Sequence, residues 1–498
     1  MGRQIRNLGV FLVVLYAALF VQINRVTVFG AEQLRDNPNN NREIERDFAA
    51  PRGSVSTADG VVIAESVEST DPHSRFELQR VFPLNERYAH ITGYYGFSVG
   101  ASGLEREYND ELAGRTIDFD LQDVGDLFVD RERVGNLTLS VRDDVQRVAQ
   151  EQLGAREGSV VALDPRSGGI YAMWSFPSFD PNPLSSNDLS AAATADSQLN
   201  EAEGNPKLSR AYQDRFFPGS TFKVVTATAG VERGGVTQND PEYPQADSYT
   251  ARGTTRPLNN FGGRTCGGTL FIILQQSCNS AFAQMGVEQV GPDGMVATAE
   301  AFGFNDDDVP IDLPSPTESV FPTEFEQDLP RLAQASIGQN DVSATPLQMA
   351  LVAAAVANDG TIMEPYVVQE VRDDQDEVID EADPDEWKTA MSPATSALLG
   401  EAMQSVVAEG SAVKLDDGLE GYEVGGKTGT AQLGTDPPRS HAWIIGFAGP
   451  PGETPHVAVA VLVEGQPGAS EQTGGDVAAP IAAAVMRQVL EPGAGAGG

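Results

Sequence analysis

Residues 217–231 read Phe217-Pro218-Gly219-Ser220-Thr221-Phe222-Lys223-Val224-Val225-Thr226-Ala227-Thr228-Ala229-Gly230-Val231. From Thr221 the run is apolar with hardly a break, and Gly234-Gly235 stops it, so residues 221–231 read as a buried helix. Pro218-Gly219 sets Ser220 at its first turn. Lys223, three residues on, shares a helix face with Ser220 and is within reach of its hydroxyl. A serine hydroxyl is a poor nucleophile until a base takes its proton. Desolvation among Phe222, Val224 and Val225 disfavours the lysine cation and favours the neutral, basic amine. The helix N-terminus also offers backbone N–H groups to a developing oxyanion. A surface lysine that merely follows a serine would lack these apolar neighbours.

The chain has only five lysines, and Lys427 stands in a second informative segment, Lys427-Thr428-Gly429-Thr430. Between the two lies Ser277-Cys278-Asn279, an S-x-N turn joining two helical stretches. A tight turn there aims both polar side chains into a cleft. Read as a strand, residues 427–430 have distinct expected uses. Lys427 supplies positive charge for a substrate carboxylate and Thr428 a hydroxyl. Gly429 lets substrate backbone approach, and the Thr430 N–H completes an oxyanion hole with that of Ser220. Residues 421–428 also satisfy G-x-x-x-x-G-K-[ST], a phosphate loop. That loop needs a helix directly after it, which Gly434 to Pro438 cannot form. Two further matches are set aside. Ser411-Ala412-Val413-Lys414 runs into a polar turn with no buried helix to hold it, and Ser185-Ser186-Asn187 precedes the nucleophile in a Pro/Ser loop. His73, His90, His441 and His456 form no ligand-spaced cluster, so neither a metal site nor a Ser-His-Asp triad is expected. His441 is expected at the start of a strand near the cleft.

At 498 residues the chain is too long for one core, and two or three domains are expected. Its net charge of −39 repels nucleic acid and anionic lipid head groups. That charge suits either a salt-adapted protein or an ordinary acidic exported one. Arg3 and Arg6 precede an apolar run over residues 8–21. This run fits an uncleaved signal anchor that exports the rest of the chain, with residues 28–30 as the cleavage site of the competing signal-peptide reading. Cys266 and Cys278, twelve residues apart, either close a disulfide that braces the S-x-N turn or remain buried thiols.

Residues 24–50 read as a polar stalk, and residues 48–139 as short strands such as Val61-Val62-Ile63-Ala64. Residues 143–153 carry a helical face. Residues 159–163 and 170–174 form a hairpin around a Gly-rich turn, followed by a loop over 177–188. Helices are expected near 270–276, 281–290, 346–356, 392–407 and 477–490, strands at 442–448 and 456–463, and a solvated acidic loop at 373–386. Strands at both ends with helices between argue α+β.

Three motifs in order, 57 and 150 residues apart, resemble the triplet of penicillin-binding proteins and serine β-lactamases. The chain resembles a class B penicillin-binding protein over almost its full length. Pro51-Arg52-Gly53-Ser54-Val55 and Gly103-Leu104-Glu105 with Tyr108 are similar to that family's pedestal motifs. Ser178-Phe179-Asp180-Pro181-Asn182, Gly338-Gln339 and Thr345-Pro346-Leu347-Gln348-Met349-Ala350 resemble segments of its transpeptidase domain. The Cys pair and modest length point to an actinobacterial type. The resemblance implies an antiparallel sheet packed with helices behind a mainly β pedestal. It divides the chain at 1–30 (cytoplasmic tip and anchor), 31–150 (pedestal of dimerisation type), 151–490 (transpeptidase) and 491–498 (tail).

It implies Ser220, Lys223, Ser277, Asn279 and Lys427 as catalytic residues, and Thr428, Gly429 and Thr430 as substrate-binding. Peptidoglycan stem peptides and β-lactams would be ligands, with no cofactor and no metal. A separate membrane glycan polymerase would be a partner, with the catalytic part outside a single-pass membrane anchor. A D,D-carboxypeptidase differs only in the acceptor, and a β-lactamase would need a second base that the motifs do not supply. A sensor or scaffold is the non-enzymatic alternative, though only about seven residues precede the apolar run.

Overall fold

The computed structural model of the chain describes residues 2–24, 42–70, 74–115, 134–325, 328–436, 438–466 and 472–491. The N-terminal helix Gly2–Asn24 has 23 residues, about 35 Å at 1.5 Å per residue. Its stretch Gly2–Phe20 is long and apolar enough to cross a membrane, and none of it is buried against the rest of the chain. It exceeds the apolar run read from composition because the helix takes in polar flanks. The candidate cleavage site at 28–30, His73 and residues 492–498 of the tail lie outside the described residues. The stalk expected over 24–50 does not stay a plain tether. Arg42–Ala49 is a helix, and Phe48 stacks on Tyr95 with ring centroids 4.4 Å apart.

The pedestal is built on a six-stranded sheet in the spatial order Val378–Glu381, Val368–Arg372, Asn136–Leu139, Val55–Ser56, Val62–Glu68, Leu78–Val81. Val55–Ser56 pairs with Asn136–Leu139 in parallel and the other pairs are antiparallel. Two of these strands come from far along the chain. The acidic stretch at 373–386, expected as a loop, instead turns back so that Val378–Glu381 becomes the sheet's edge. Charged side chains are what keep an exposed edge from pairing further, so acidity there marks an outer strand as readily as a loop. The sheet thus takes strands from both sides of a division at residue 150. Beneath it, the Glu105 carboxylate accepts from Arg52 Nε at 2.5 Å and Arg80 Nε at 2.6 Å, all three side chains buried. The Arg52 guanidinium lies 4.0 Å over the Tyr95 ring.

The second sheet has five antiparallel strands in the order Glu423–Gln432, Ser440–Gly449, Val457–Val463, Gly158–Leu163, Ile170–Phe176. The early hairpin and the late strands meet where Val457–Val463 pairs with Gly158–Leu163. Helix Pro346–Ala357 is buried at all twelve positions, as a helix apolar all round must be. It packs on the three middle strands. Asp143–Leu153 and Ala479–Leu490 pack on one another and on the same sheet. This is the α+β arrangement expected. Helices Leu189–Glu201, Gly291–Ala301 and Leu329–Ala335 are not evident in the hydrophobic pattern.

The loop after Phe176 seams the two parts together. Asn182 exchanges two hydrogen bonds with the Phe82 backbone, at 2.9 and 3.0 Å. Ser185 Oγ accepts from the Tyr95 N–H at 3.0 Å, and Asn187 Nδ2 donates to the Leu78 carbonyl at 3.0 Å. The S-x-N match at 185–187 is therefore a joint between pedestal and main domain.

Candidate active site

Ser220 sits in a 3-10 turn, Gly219–Phe222, which runs into the α-helix Lys223–Arg233. Gly219 has φ +54°, a conformation that suits glycine, and its N–H donates to the Gly338 carbonyl at 2.9 Å. Gly338 has no room for a side chain: a Cβ there would lie 2.2 Å from the Gly219 carbonyl oxygen. The Gly338-Gln339 segment thus braces the nucleophile's turn.

Lys223 is fully buried. Its Nζ donates to the Ser277 carbonyl at 2.7 Å, Asn279 Oδ1 at 2.6 Å and Ser277 Oγ at 3.3 Å. Burial first, then the charges of Lys427 and Arg264, hold its pKa well below the ordinary lysine value. Lys427 is equally buried, and its Nζ donates to Ser277 Oγ at 2.9 Å and the Thr428 carbonyl at 2.8 Å. Burial pushes its pKa down to about 7. The Ser277 hydroxyl is therefore held between two amines, each weakened as a cation by desolvation. Ser277 has φ +53°, a strained conformation of the kind that clusters at functional sites. The disulfide Cys266–Cys278 fastens the turn, closing the choice left open by sequence.

A cleft of ≈ 1340 Å³ is lined by Ser220, Ser277, Asn279, Thr428 and Thr430, with both lysines beneath its surface. Lys427 lies beneath the cleft surface and its amine donates to the Ser277 hydroxyl. Side chains alternate along a strand, so a side chain at Gly429 would point to the side opposite Thr428 and Thr430. A Cβ there would lie 2.9 Å from the Pro218 carbonyl and 2.9 Å from Trp443 Cβ. Its bareness admits the protein's own nucleophile turn against the strand. The strand itself, Glu423–Gln432, leads to another strand and not to a helix, so Gly426-Lys427-Thr428 is no phosphate loop.

The S-x-x-K match at 411–414, set aside on sequence, needs a correction as well. Its lysine points away, pairing with Asp476 at 2.8 Å. Its serine lines the cleft, with Oγ 2.5 Å from Thr428 Oγ1. The motif does not convey this place for Ser411, because its partner is 17 residues off in a neighbouring element. His441 is structural: Nδ1 accepts from the Gly465 N–H at 3.2 Å, its ring meets Phe216 edge-on, and burial, with Arg439, pushes its pKa down to about 4.

The penicillin binding protein transpeptidase domain matches residues 158–487, and the penicillin binding protein A dimerisation domain matches residues 52–137. The chain is 37% identical to the peptidoglycan D,D-transpeptidase PbpA of Mycolicibacterium smegmatis, over 99% of this chain and 100% of that protein. It is 35% identical to the Mycobacterium tuberculosis protein of the same name, over 99% of each. Among solved structures, a ceftriaxone acyl-enzyme complex of M. tuberculosis penicillin-binding protein A superposes with a TM-score of 0.81 at 34% identity, covering 90% of this chain and 100% of that one. A triplet gathered around one cleft, together with similarity along nearly the whole length, means that the chain belongs to the penicillin-binding transpeptidases.

Proposed function

We propose that the chain is a serine-type peptidoglycan D,D-transpeptidase held in the membrane by its N-terminal helix, with the rest outside the cytoplasm. The observation that carries the mechanism is the Ser277 hydroxyl set between Lys223 and Lys427. Lys223, its pKa lowered by burial, takes the Ser220 proton in its neutral form as Oγ bonds to the carbonyl carbon of the penultimate D-alanine. Backbone N–H groups of Ser220 and Thr430 receive the oxyanion. The proton passes through Ser277 to the departing nitrogen, the C–N bond breaks, and terminal D-alanine leaves. An amine from a neighbouring stem then attacks the ester, forming the cross-link and returning Ser220 to the hydroxyl.

Asn279, fixed by Lys223 and by its own Nδ2 bond to the Asn259 carbonyl at 3.0 Å, keeps an N–H for the substrate amide. Thr428 and Thr430 offer hydroxyls to the terminal carboxylate, and the Lys427 charge beneath adds to that attraction when the amine is protonated. A β-lactam follows the first half, but its opened ring keeps the leaving nitrogen tethered.

The test is incubation with a D-Ala-D-Ala stem peptide and an acceptor amine, followed by mass spectrometry. Cross-linked product with free D-alanine is expected. Hydrolysis alone would make the protein a carboxypeptidase, and no turnover with intact penicillin labelling would favour a sensor or scaffold. The pedestal, short for a polymerase, suits recruitment of a separate membrane glycan polymerase. Repeated detergent purification without one would remove that part of the reading.

A further inference from the structure

Two deeply set carboxylates of this chain are met by arginine: Glu105 by Arg52 and Arg80, and Glu464 by Arg210. Asp312 is held differently. Its Oδ1 accepts from the Val367 N–H at 2.8 Å, and its Oδ2 from the Val368 N–H at 2.7 Å and from Tyr108 Oη at 3.4 Å. No arginine or lysine is among these partners. Val368 opens the strand Val368–Arg372 of the pedestal sheet, and Tyr108 belongs to the pedestal as well. Burial, only partly offset by these hydrogen bonds, pushes the Asp312 pKa up to about 6.

Asp312 stands midway along a strap, residues 304–321, that reaches from the main domain to the pedestal and returns. The ends of the strap are pinned together. The Asn305 N–H donates to the Ser319 carbonyl at 2.7 Å, and the Phe321 N–H to Asn305 Oδ1 at 2.9 Å. Both ends then close on one ring. Phe304 meets Phe222 edge-on with centroids 5.4 Å apart, and Phe321 stacks on it at 5.3 Å. Phe222 is fully buried and ends the turn Gly219–Phe222 that carries Ser220, directly before Lys223. A second path runs through backbone, since Val320 pairs with Ser343 and the next residue, Ala344, pairs with Phe216 just ahead of that turn. The strap thus grips the pedestal at its middle and the nucleophile's turn at its ends.

We propose that Asp312 is a positioning residue, a proton-sensitive clasp whose carboxylate form ties the strap to the pedestal and so holds Phe222 and the Ser220 turn in the arrangement that acylates. Protonation leaves one oxygen a poor acceptor for the N–H it faces and replaces charge-assisted hydrogen bonds by weaker neutral ones. The groups around it cannot take over that charge. Burial, with neighbouring acids, pushes the phenols of Tyr108 and Tyr212 above their ordinary value, so both stay neutral. The acids concerned besides Asp312 are Glu111 and Asp380 beside Tyr108 and Glu107 beside Tyr212. The inference rests on Ser220 acylation and adds what controls its rate.

The test is the second-order rate of acylation by benzylpenicillin, followed by stopped flow from about pH 5 to about pH 8, for the detergent-extracted full chain and for Asp312→Asn. The ratio of parent to variant cancels the titration of Lys223 and Lys427, which both proteins share. That ratio should be about tenfold at the alkaline end and fall toward one through a midpoint near the Asp312 pKa of about 6. A ratio that does not change with pH would overturn the clasp, however slow Asp312→Asn is, because a merely structural loss has no midpoint there. Tyr108→Phe carries the test if Asp312→Asn does not fold. Losing the phenol raises the Asp312 pKa further, so the ratio of parent to Tyr108→Phe should peak somewhat above about pH 6 and decline on either side. The absence of that peak would overturn the clasp too. A folded parent that benzylpenicillin acylates at no pH would sink the Ser220 reading and this inference with it, whereas acylation with a flat ratio sinks the inference alone.

Discussion

Ser277 does at one atom what the site needs, accepting from two lysine amines while remaining able to hand on a proton. Ser277→Ala should slow acylation by benzylpenicillin by roughly 10²–10⁴-fold, the range for a lost proton-transfer group, as followed by stopped-flow quenching. A fall of less than about threefold would leave Ser277 a spectator. Lys427 adds a pH dependence with a definite sign. Its folded pKa of about 7 lies below the unfolded value near 10.5. Between these the unfolded chain binds more protons, so stability rises with pH across that window and is lost as pH falls through about 7. The urea midpoint of the parent relative to Lys427→Met should therefore climb between about pH 6 and about pH 9. The residue types are legible because lysine is scarce and the three motifs stand in order. What spacing does not convey is depth, and depth sets the Lys427 amine against Ser277. Ser411 is set aside in the sequence for the related reason that only the folded chain sets it beside Thr428.

Elements meet here through positions with no side chain. Gly429→Ala places a carbon 2.9 Å from the Pro218 carbonyl oxygen, which is backbone and cannot swing aside. It should cost about 1–3 kcal/mol of stability, as overpacking does, and slow Ser220 acylation at least about tenfold. A folded Gly429→Ala with parent kinetics would contradict the proposed fit of turn to strand. The Cys266–Cys278 bond closes a short loop, so the double Cys→Ala variant should lose about 2–4 kcal/mol in urea titration. Thiol titration of the denatured, unreduced parent should find no free thiol at either position. Sequence periodicity serves well where burial is one-sided or complete, as at Asp143–Leu153 and Pro346–Ala357. It fails at Val378–Glu381, whose acidic residues suit an edge strand that only its pairing with Val368–Arg372 reveals.

At the scale of the whole molecule, the pedestal sheet borrows Val368–Arg372 and Val378–Glu381 from the later part of the chain. A division by sequence position cannot show such borrowing. One continuous core runs from Val55 and Leu137 through Val160 to Val461. Scanning calorimetry of the chain without its anchor should therefore give a single cooperative transition, and two well-separated ones would contradict this coupling. Acyl-enzyme chemistry in this chain comes down to the fate of one hydroxyl. Residues from about 42 onward, incubated with benzylpenicillin beside Ser220→Ala and Ser411→Ala versions, should be weighed intact and mapped by peptide. One adduct on Ser220 in the parent and in Ser411→Ala, and none in Ser220→Ala, is the predicted result. A folded parent that takes up no adduct, or an adduct that persists in Ser220→Ala, would contradict it.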